Sequence, residues 1–293
     1  MLARLDWAVD GADWPNREAT RFIDAAGLRW HVQTTGHGPV LLLVHGTGAS
    51  THSWRDLMPL LASRFSVVAF DLPGHAFTDK APGAGMSLDG MSRLVEALLG
   101  VMGLQPRIAV GHSAGAAILA RMALDHRLAP EALVAFNGAF VPFDGVLRIF
   151  SPVAKFLAST SVAAEIAAAR GRDPAAVVRL LRVTGSTLDA RGVELYGRLV
   201  RSPAHVAGAL AMMASWDLQG LLRDLPRLQT PTRLVVGSND KTVPPAQSDR
   251  IAAIVAHGRV ERLAQLGHLG HEERPDLAAE AVFRFADELS GGD

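Results

Sequence analysis

The sequence predicts an α/β fold in which a mostly parallel sheet is covered by helices on both faces. Three observations carry that expectation. Short, continuously apolar runs recur along the chain, and a strand apolar on both sides must be buried on both sides. Stretches of helical periodicity separate those runs, as strand–helix–strand crossovers require. One stretch of about 85 residues is helical in pattern with no strand run at all, too long for a single crossover unit of about 30 residues or a little more.

Taken in order, Leu28 to Gln33 alternates apolar and polar, as a half-buried strand does. Val40-Leu41-Leu42-Leu43-Val44 and Val67-Val68-Ala69-Phe70 are continuously apolar and read as buried strands. Ser87 to Met102 reads as a helix. Arg107-Ile108-Ala109-Val110 is a strand run, followed by good helix formers from Ala114 to Asp125. Leu133-Val134-Ala135-Phe136 is the next strand. From Phe140 to Asp224 helical periodicity takes over, punctuated by Pro142, Pro152, Pro174 and Pro203. Strand character resumes at Thr232 with Leu234-Val235-Val236, and a last strand-like run covers Arg259 to Leu263. Ala246 to Ala256 is helical, and a final helix follows Pro275, which suits a first turn. The expected organisation is a core of residues 1–139 and 225–293 with an inserted helical cap of residues 140–224.

Composition narrows the function. The 293 residues are 49% hydrophobic and 20% charged, with 29 Lys+Arg against 29 Asp+Glu. That balance excludes an electrostatic nucleic-acid binder. There is no cysteine, which excludes disulfides, cysteine nucleophiles and thiolate metal sites and fits a reducing compartment. Met1 to Asp10 has no apolar core of the kind a signal peptide needs. No stretch of about 18 apolar residues is free of charge, because His112 and Arg121 interrupt the most apolar segment, Ile108 to Leu124. A cytoplasmic protein without a transmembrane segment is expected. The eleven histidines are scattered, with no zinc-type His pair beside a Glu. Neither a metal site nor a cofactor is expected.

The most informative segment is Gly111-His112-Ser113-Ala114-Gly115, lying between a strand run and a helix. A Gly-x-Ser-x-Gly there is the pattern of a nucleophile elbow, a sharp turn that lifts the serine clear of the sheet. Ser113 as nucleophile needs a base, and the base an orienting acid. Gly237-Ser238-Asn239-Asp240 closes a strand with a carboxylate, and Gly267-His268 follows the last strand, so the order is Ser113, Asp240, His268. Asp144, after the preceding strand, is the rival acid. His271 is the rival base, but it leads into Glu272-Glu273-Arg274-Pro275, a helix start. An oxyanion hole needs two backbone N–H groups aimed at developing charge. Ala114 supplies one. Thr47, in the glycine-rich turn His45-Gly46-Thr47-Gly48-Ala49-Ser50, supplies the other, with His45 as a loop anchor. Asp71-Leu72-Pro73-Gly74-His75 reads as a turn lining the floor of the site.

Those five motifs together resemble the α/β-hydrolase superfamily from about Leu28 to the C-terminus. A narrower likeness covers Asp13-Trp14-Pro15-Asn16-Arg17-Glu18, Thr51-His52-Ser53-Trp54-Arg55-Asp56, Ala114 to Met122, Arg201 to Val206, and Leu210 to Leu218. These segments resemble the BchO family, magnesium-chelatase accessory proteins of bacteriochlorophyll biosynthesis. One departure is His75-Ala76, where hydrolases of this type usually carry a glycine after the histidine. The resemblance implies a tetrapyrrole-pathway role and association with magnesium chelatase. It leaves three functions open: a serine esterase acting on an apolar ester such as a tetrapyrrole ester, a non-catalytic pigment-binding or chelatase-accessory protein, and a C–C bond hydrolase or cofactor-free perhydrolase. Phe140, Phe143, Met212, Met213 and Trp216 are the candidate pocket residues, each of which also suits a place in the packing of the cap.

Overall fold

Continuously apolar strands need cover on both faces, and they find it in one eight-stranded sheet. The computed structural model describes residues 2–142 and 161–291. The strands are β1 (Thr20–Ala25), β2 (Leu28–Thr35), β3 (Val40–Val44), β4 (Ser66–Phe70), β5 (Ile108–His112), β6 (Ala132–Phe136), β7 (Thr232–Gly237) and β8 (Gly258–Leu263). Their spatial order is β1-β2-β4-β3-β5-β6-β7-β8. β2 pairs antiparallel with β1 and β4, and every other neighbouring pair is parallel. β3, β4, β5 and β6 are buried almost throughout, as their unbroken apolar sequences require.

The helices sort by face. α1 (Leu57–Leu61) and the C-terminal α11 (Pro275–Ser290) cover one side, with Leu57, Met58, Ala278 and Val282 packed on Leu41, Leu43 and Val110. α2 (Leu88–Met102), α3 (Ala114–Leu124) and α9 (Pro245–Ile254) cover the other, with Val95, Leu98, Ile118 and Ile251 in the second core. Ser87 caps α2 by accepting the Gly90 N–H at 3.1 Å, and Gly103 ends it at φ 64°.

Between β6 and β7 the described chain is helical: α4 (Ser161–Arg170), α5 (Pro174–Val183), α6 (Ala190–Arg201), α7 (Pro203–Ser215) and α8 (Gln219–Asp224). α5, α6 and α7 start at Asp173, Asp189 and Ser202, each of which accepts a first-turn N–H through its side chain. α8 returns to the core, where Asp224 pairs with Arg121 of α3 at 2.8 Å. α7 lies against the turn after β4. A Cβ on Gly208 would stand 1.9 Å from the Gly74 carbonyl oxygen, so only glycine permits this approach. A four-residue helix α10 (Gly270–Glu273) precedes α11. Among the described residues, no helix is long and apolar enough to cross a membrane.

Candidate active site

Ser113 follows β5 directly and begins α3 at φ 50° and ψ −115°, a positive φ that an L-residue rarely adopts. The turn is tight enough to demand glycine on both sides. A Cβ on Gly111 would sit 2.4 Å from the Ala116 nitrogen, and one on Gly115 2.0 Å from the Val44 carbonyl oxygen. Three backbone hydrogen bonds hold the strained residue. Its N–H donates to the Phe136 oxygen at 2.9 Å, and its carbonyl accepts from Ala139 at 3.0 Å and Ala116 at 3.2 Å.

Asp240 and His268 come from the loops after β7 and β8, adjacent strands at the same end of the sheet. His268 Nδ1 donates to Asp240 Oδ2 at 2.8 Å, and both side chains are buried. The carboxylate has three further donors. Asn137 Nδ2 reaches Oδ2 at 2.7 Å, and the Thr242 and Val243 N–H groups reach Oδ1 at 2.7 and 2.9 Å. Its orientation is therefore fixed, and with Nδ1 committed as donor the imidazole keeps Nε2 as a free acceptor. His112 joins the histidine loop to the elbow. Its Nε2 donates to the His268 carbonyl at 3.0 Å, with the two rings 4.8 Å apart. A Cβ on Gly46 would lie 2.9 Å from both His112 Nδ1 and Ser113 Cβ. The loop after β3, the elbow and the histidine loop thus meet at one point.

That contact sets the loop that carries Thr47 against Ser113. The N–H of Ala114, the first residue of α3, has no intrahelical acceptor. The Thr47 hydroxyl donates to the Met212 sulfur of α7 at 3.4 Å. His45 anchors the loop through two backbone bonds, donating from Nδ1 to the Gly46 oxygen at 2.7 Å and accepting the Leu72 N–H on Nε2 at 2.9 Å. Beneath it Asp71 meets His31 Nδ1 at 2.8 Å and the Thr51 N–H at 2.7 Å. Burial alone would raise the Asp71 carboxyl, but the His31 and His45 imidazoles and the Thr51 N–H carry it down to about 2. Ala76, which stands where a glycine was expected, has φ 40° and gives its N–H to His205 Nδ1 of α7 at 3.0 Å.

His271 stands apart from Asp240. Its Nε2 pairs with Ser53 Oγ at 2.9 Å, and burial, with His268 and Arg55 nearby, lowers it to about 3. Behind it Glu272 accepts from Ser53 (2.6 Å), Arg55 (2.6 Å) and Tyr196 of α6 (2.8 Å). Burial raises the Glu272 carboxyl despite the Arg55 guanidinium. This network and Asn137 escaped the sequence reading. Asn137-Gly138 at the end of β6 was the available signal, a polar side chain where parallel sheets present their sites. The Ser53–Arg55–Tyr196–Glu272 contacts join residues too far apart in sequence to leave one.

The pocket candidates separate. Met212 is buried against Thr47, and Trp216 is half-buried with its Nε1 unpartnered among the described residues. Met213 is 49% exposed. Phe140 packs in the core beside Ala116, Leu119 and Ile251. Phe143 and the rival acid Asp144 lie outside the described residues.

Comparison with known proteins follows the same lines. The family model of the α/β hydrolase fold matches residues 39–275. The magnesium-chelatase 30 kDa subunit of Rhodobacter capsulatus is 36% identical over 268 residues, which are 90% of this chain and 93% of that protein. An α/β hydrolase fold protein from Burkholderia ambifaria superposes with a TM-score of 0.76 at 24% identity, covering 97% of this chain and 100% of that one. A thermophilic esterase from Thermogutta terrifontis superposes with a TM-score of 0.72 at 22% identity, covering 92% and 98%. Sheet order, elbow and family match agree: the chain belongs to the α/β-hydrolase fold family and resembles the magnesium-chelatase 30 kDa subunit.

Proposed function

We propose that this protein is a cytoplasmic serine hydrolase that cleaves a carboxylic ester of an apolar substrate, and that the substrate is a tetrapyrrole ester in a magnesium-chelatase-associated pathway. The observation that carries the catalytic part is the Asp240–His268 hydrogen bond of 2.8 Å, with Ser113 held at positive φ on the elbow that His112 ties to the His268 carbonyl. Ser113 Oγ attacks the ester carbonyl while His268 Nε2 takes its proton. The N–H groups of Thr47 and Ala114 receive the charge that develops on the carbonyl oxygen. His268 then passes the proton to the departing alcohol, and water hydrolyses the acyl-serine by the same route. Asp240 holds the tautomer that leaves Nε2 free.

The helices between β6 and β7, within residues 140–224, act as the cap of this site. Supporting that role are the contacts of Met212 with Thr47, of Gly208 with Gly74, and of His205 with Ala76 and the Gly48 carbonyl. A lid of this kind excludes water and strengthens the oxyanion contacts. The pigment part rests on the likeness to the chelatase subunit. That likeness also favours a second reading, a non-catalytic accessory of the chelatase that binds the pigment and keeps the fold.

Turnover separates the two. Purified protein should hydrolyse a short p-nitrophenyl ester and a porphyrin monomethyl ester, and Ser113→Ala should abolish both. Saturable quenching of tryptophan fluorescence by protoporphyrin monomethyl ester with no turnover by either protein supports the accessory reading. Ready hydrolysis of aliphatic esters without any porphyrin quenching removes the pigment assignment.

A further inference from the structure

Three residues between α5 and α6 pass between the loop that carries Asp240 and the loop that carries His268. The Thr184 carbonyl accepts two N–H groups, from Lys241 at 3.1 Å and from His268 at 3.3 Å. It thereby bridges the neighbour of the acid to the base itself. Ser186 is buried, and its Oγ accepts the Leu269 N–H at 2.8 Å. Gly185, at φ +87°, touches both sides. A Cβ there would stand 2.1 Å from the Asn239 carbonyl oxygen, and a Cβ on Gly267 would stand 2.3 Å from the Gly185 carbonyl carbon and 2.4 Å from Ser186 Oγ. No larger residue fits at either glycine. Glu273 closes the arrangement, accepting the Gly267 N–H at 2.8 Å and the Thr187 N–H at 3.3 Å.

The geometry points to Thr184-Gly185-Ser186 as a positioning strap, through which the α5 and α6 helices set the alignment of His268 with Asp240. This rests on the serine-hydrolase reading of that pair. The main chain of His268 is held from opposite sides, its N–H by Thr184 and its carbonyl by His112. The next N–H is held by Ser186. A shift of α5 and α6 therefore reaches the base directly, without passing through the sheet. Ser186 is the positioning residue, since its hydroxyl is the only side-chain acceptor that the strap offers to the histidine loop among the described residues. A displacement of about 1 Å in a catalytic group costs on the order of 10²-fold in rate.

The test uses Ser186→Ala in the full chain, with two readouts. One is the rate at which a fluorophosphonate labels Ser113. The other is the downfield proton resonance of His268 Nδ1–H, which reports its hydrogen bond to Asp240 and does not depend on catalysis. We expect folded Ser186→Ala to label on the order of 10²-fold more slowly, with the resonance shifted or lost. Parental labelling and an unshifted resonance would overturn the strap. If the variant does not fold, amide exchange in the unsubstituted protein decides: His268 and Leu269 should open together with Leu181 and Val193 of α5 and α6, and exchange uncoupled from those helices overturns the proposal. If the unsubstituted protein is not labelled at all, the serine-hydrolase reading fails, while the resonance and the exchange still judge the strap.

Discussion

Acid should unfold this protein well above the range in which its carboxylates titrate, and the reason is its buried histidines. His205 and His271 are buried, and burial lowers them from 6.5 to about 4 and about 3. His205 is flanked by His45, His75 and Asp71, and His271 by His268 and Arg55. Below pH 6.5 the unfolded chain takes up a proton at each position and the folded chain does not. Their contribution to stability is therefore complete above 6.5 and lost as pH falls toward the folded values. At pH 5 the loss is about 2 kcal/mol for each, on the order of 4 kcal/mol for the two, against a typical total of about 5–15 kcal/mol. Burial also lowers His45, His52, His75 and His112, which act in the same direction. Glu272, raised by burial, works the opposite way, as one group against six. Urea unfolding by linear extrapolation at pH 8, 7, 6 and 5 gives the slope directly. From these two histidines alone it should reach about 2.5 kcal/mol per pH unit between 6 and 5. His205→Leu should lower stability at pH 8 and flatten the slope between pH 6 and 5 by about 1.2 kcal/mol per unit. Equal stability at pH 7 and pH 5, or higher stability at pH 5, would refute the reasoning.

Asp240→Asn should keep the fold and lower kcat by roughly 10⁴-fold, because the amide stabilises the wrong imidazole tautomer; if Asp144→Asn gives the large loss in steady-state assays instead, the acid has been misplaced. Gly46→Ala sets a methyl 2.9 Å from Ser113 Cβ and His112 Nδ1, so turnover should fall far more than thermal stability, and an unchanged kcat contradicts the packing described. Glu272→Gln leaves the Arg55 guanidinium without its buried anion; a loss of about 3 kcal/mol is expected in denaturant titration, and a neutral result would mean that Asp56 and Asp189 suffice for Arg55.

The sheet was legible because burial writes itself into composition. β3, β4 and β6 are apolar at every buried position and β5 at all but His112, and the runs expected at Val40–Val44 and Val67–Phe70 match strands within a residue. β1 was not anticipated. It is an edge strand, half-exposed, with Arg21 and Asp24 facing solvent. The turn that joins it to β2 uses Ala26 at φ 52° before Gly27 at φ 75°, in place of the Asn-Gly or Asp-Gly pairs that mark such hairpins. The elbow was legible for a geometric reason: only glycine survives within 2.0 to 2.4 Å of a backbone atom, so Gly111 and Gly115 must appear in the sequence. Asn137 was not, because its role depends on a contact with Asp240 across 103 positions. Nor was the strap. Nothing local in Thr184-Gly185-Ser186 distinguishes it from an ordinary interhelical turn, and its meaning comes from the two loops it separates.

The most direct measurement of the central claim is labelling of the purified protein with a fluorophosphonate, followed by peptide mapping. It asks whether one serine is activated, whatever the natural substrate. The account predicts a single modified residue, Ser113, with labelling abolished in Ser113→Ala and strongly slowed in Asp240→Asn and in any variant that removes the His268 imidazole. Absence of labelling in folded protein, or modification at another serine with Ser113 untouched, would contradict it.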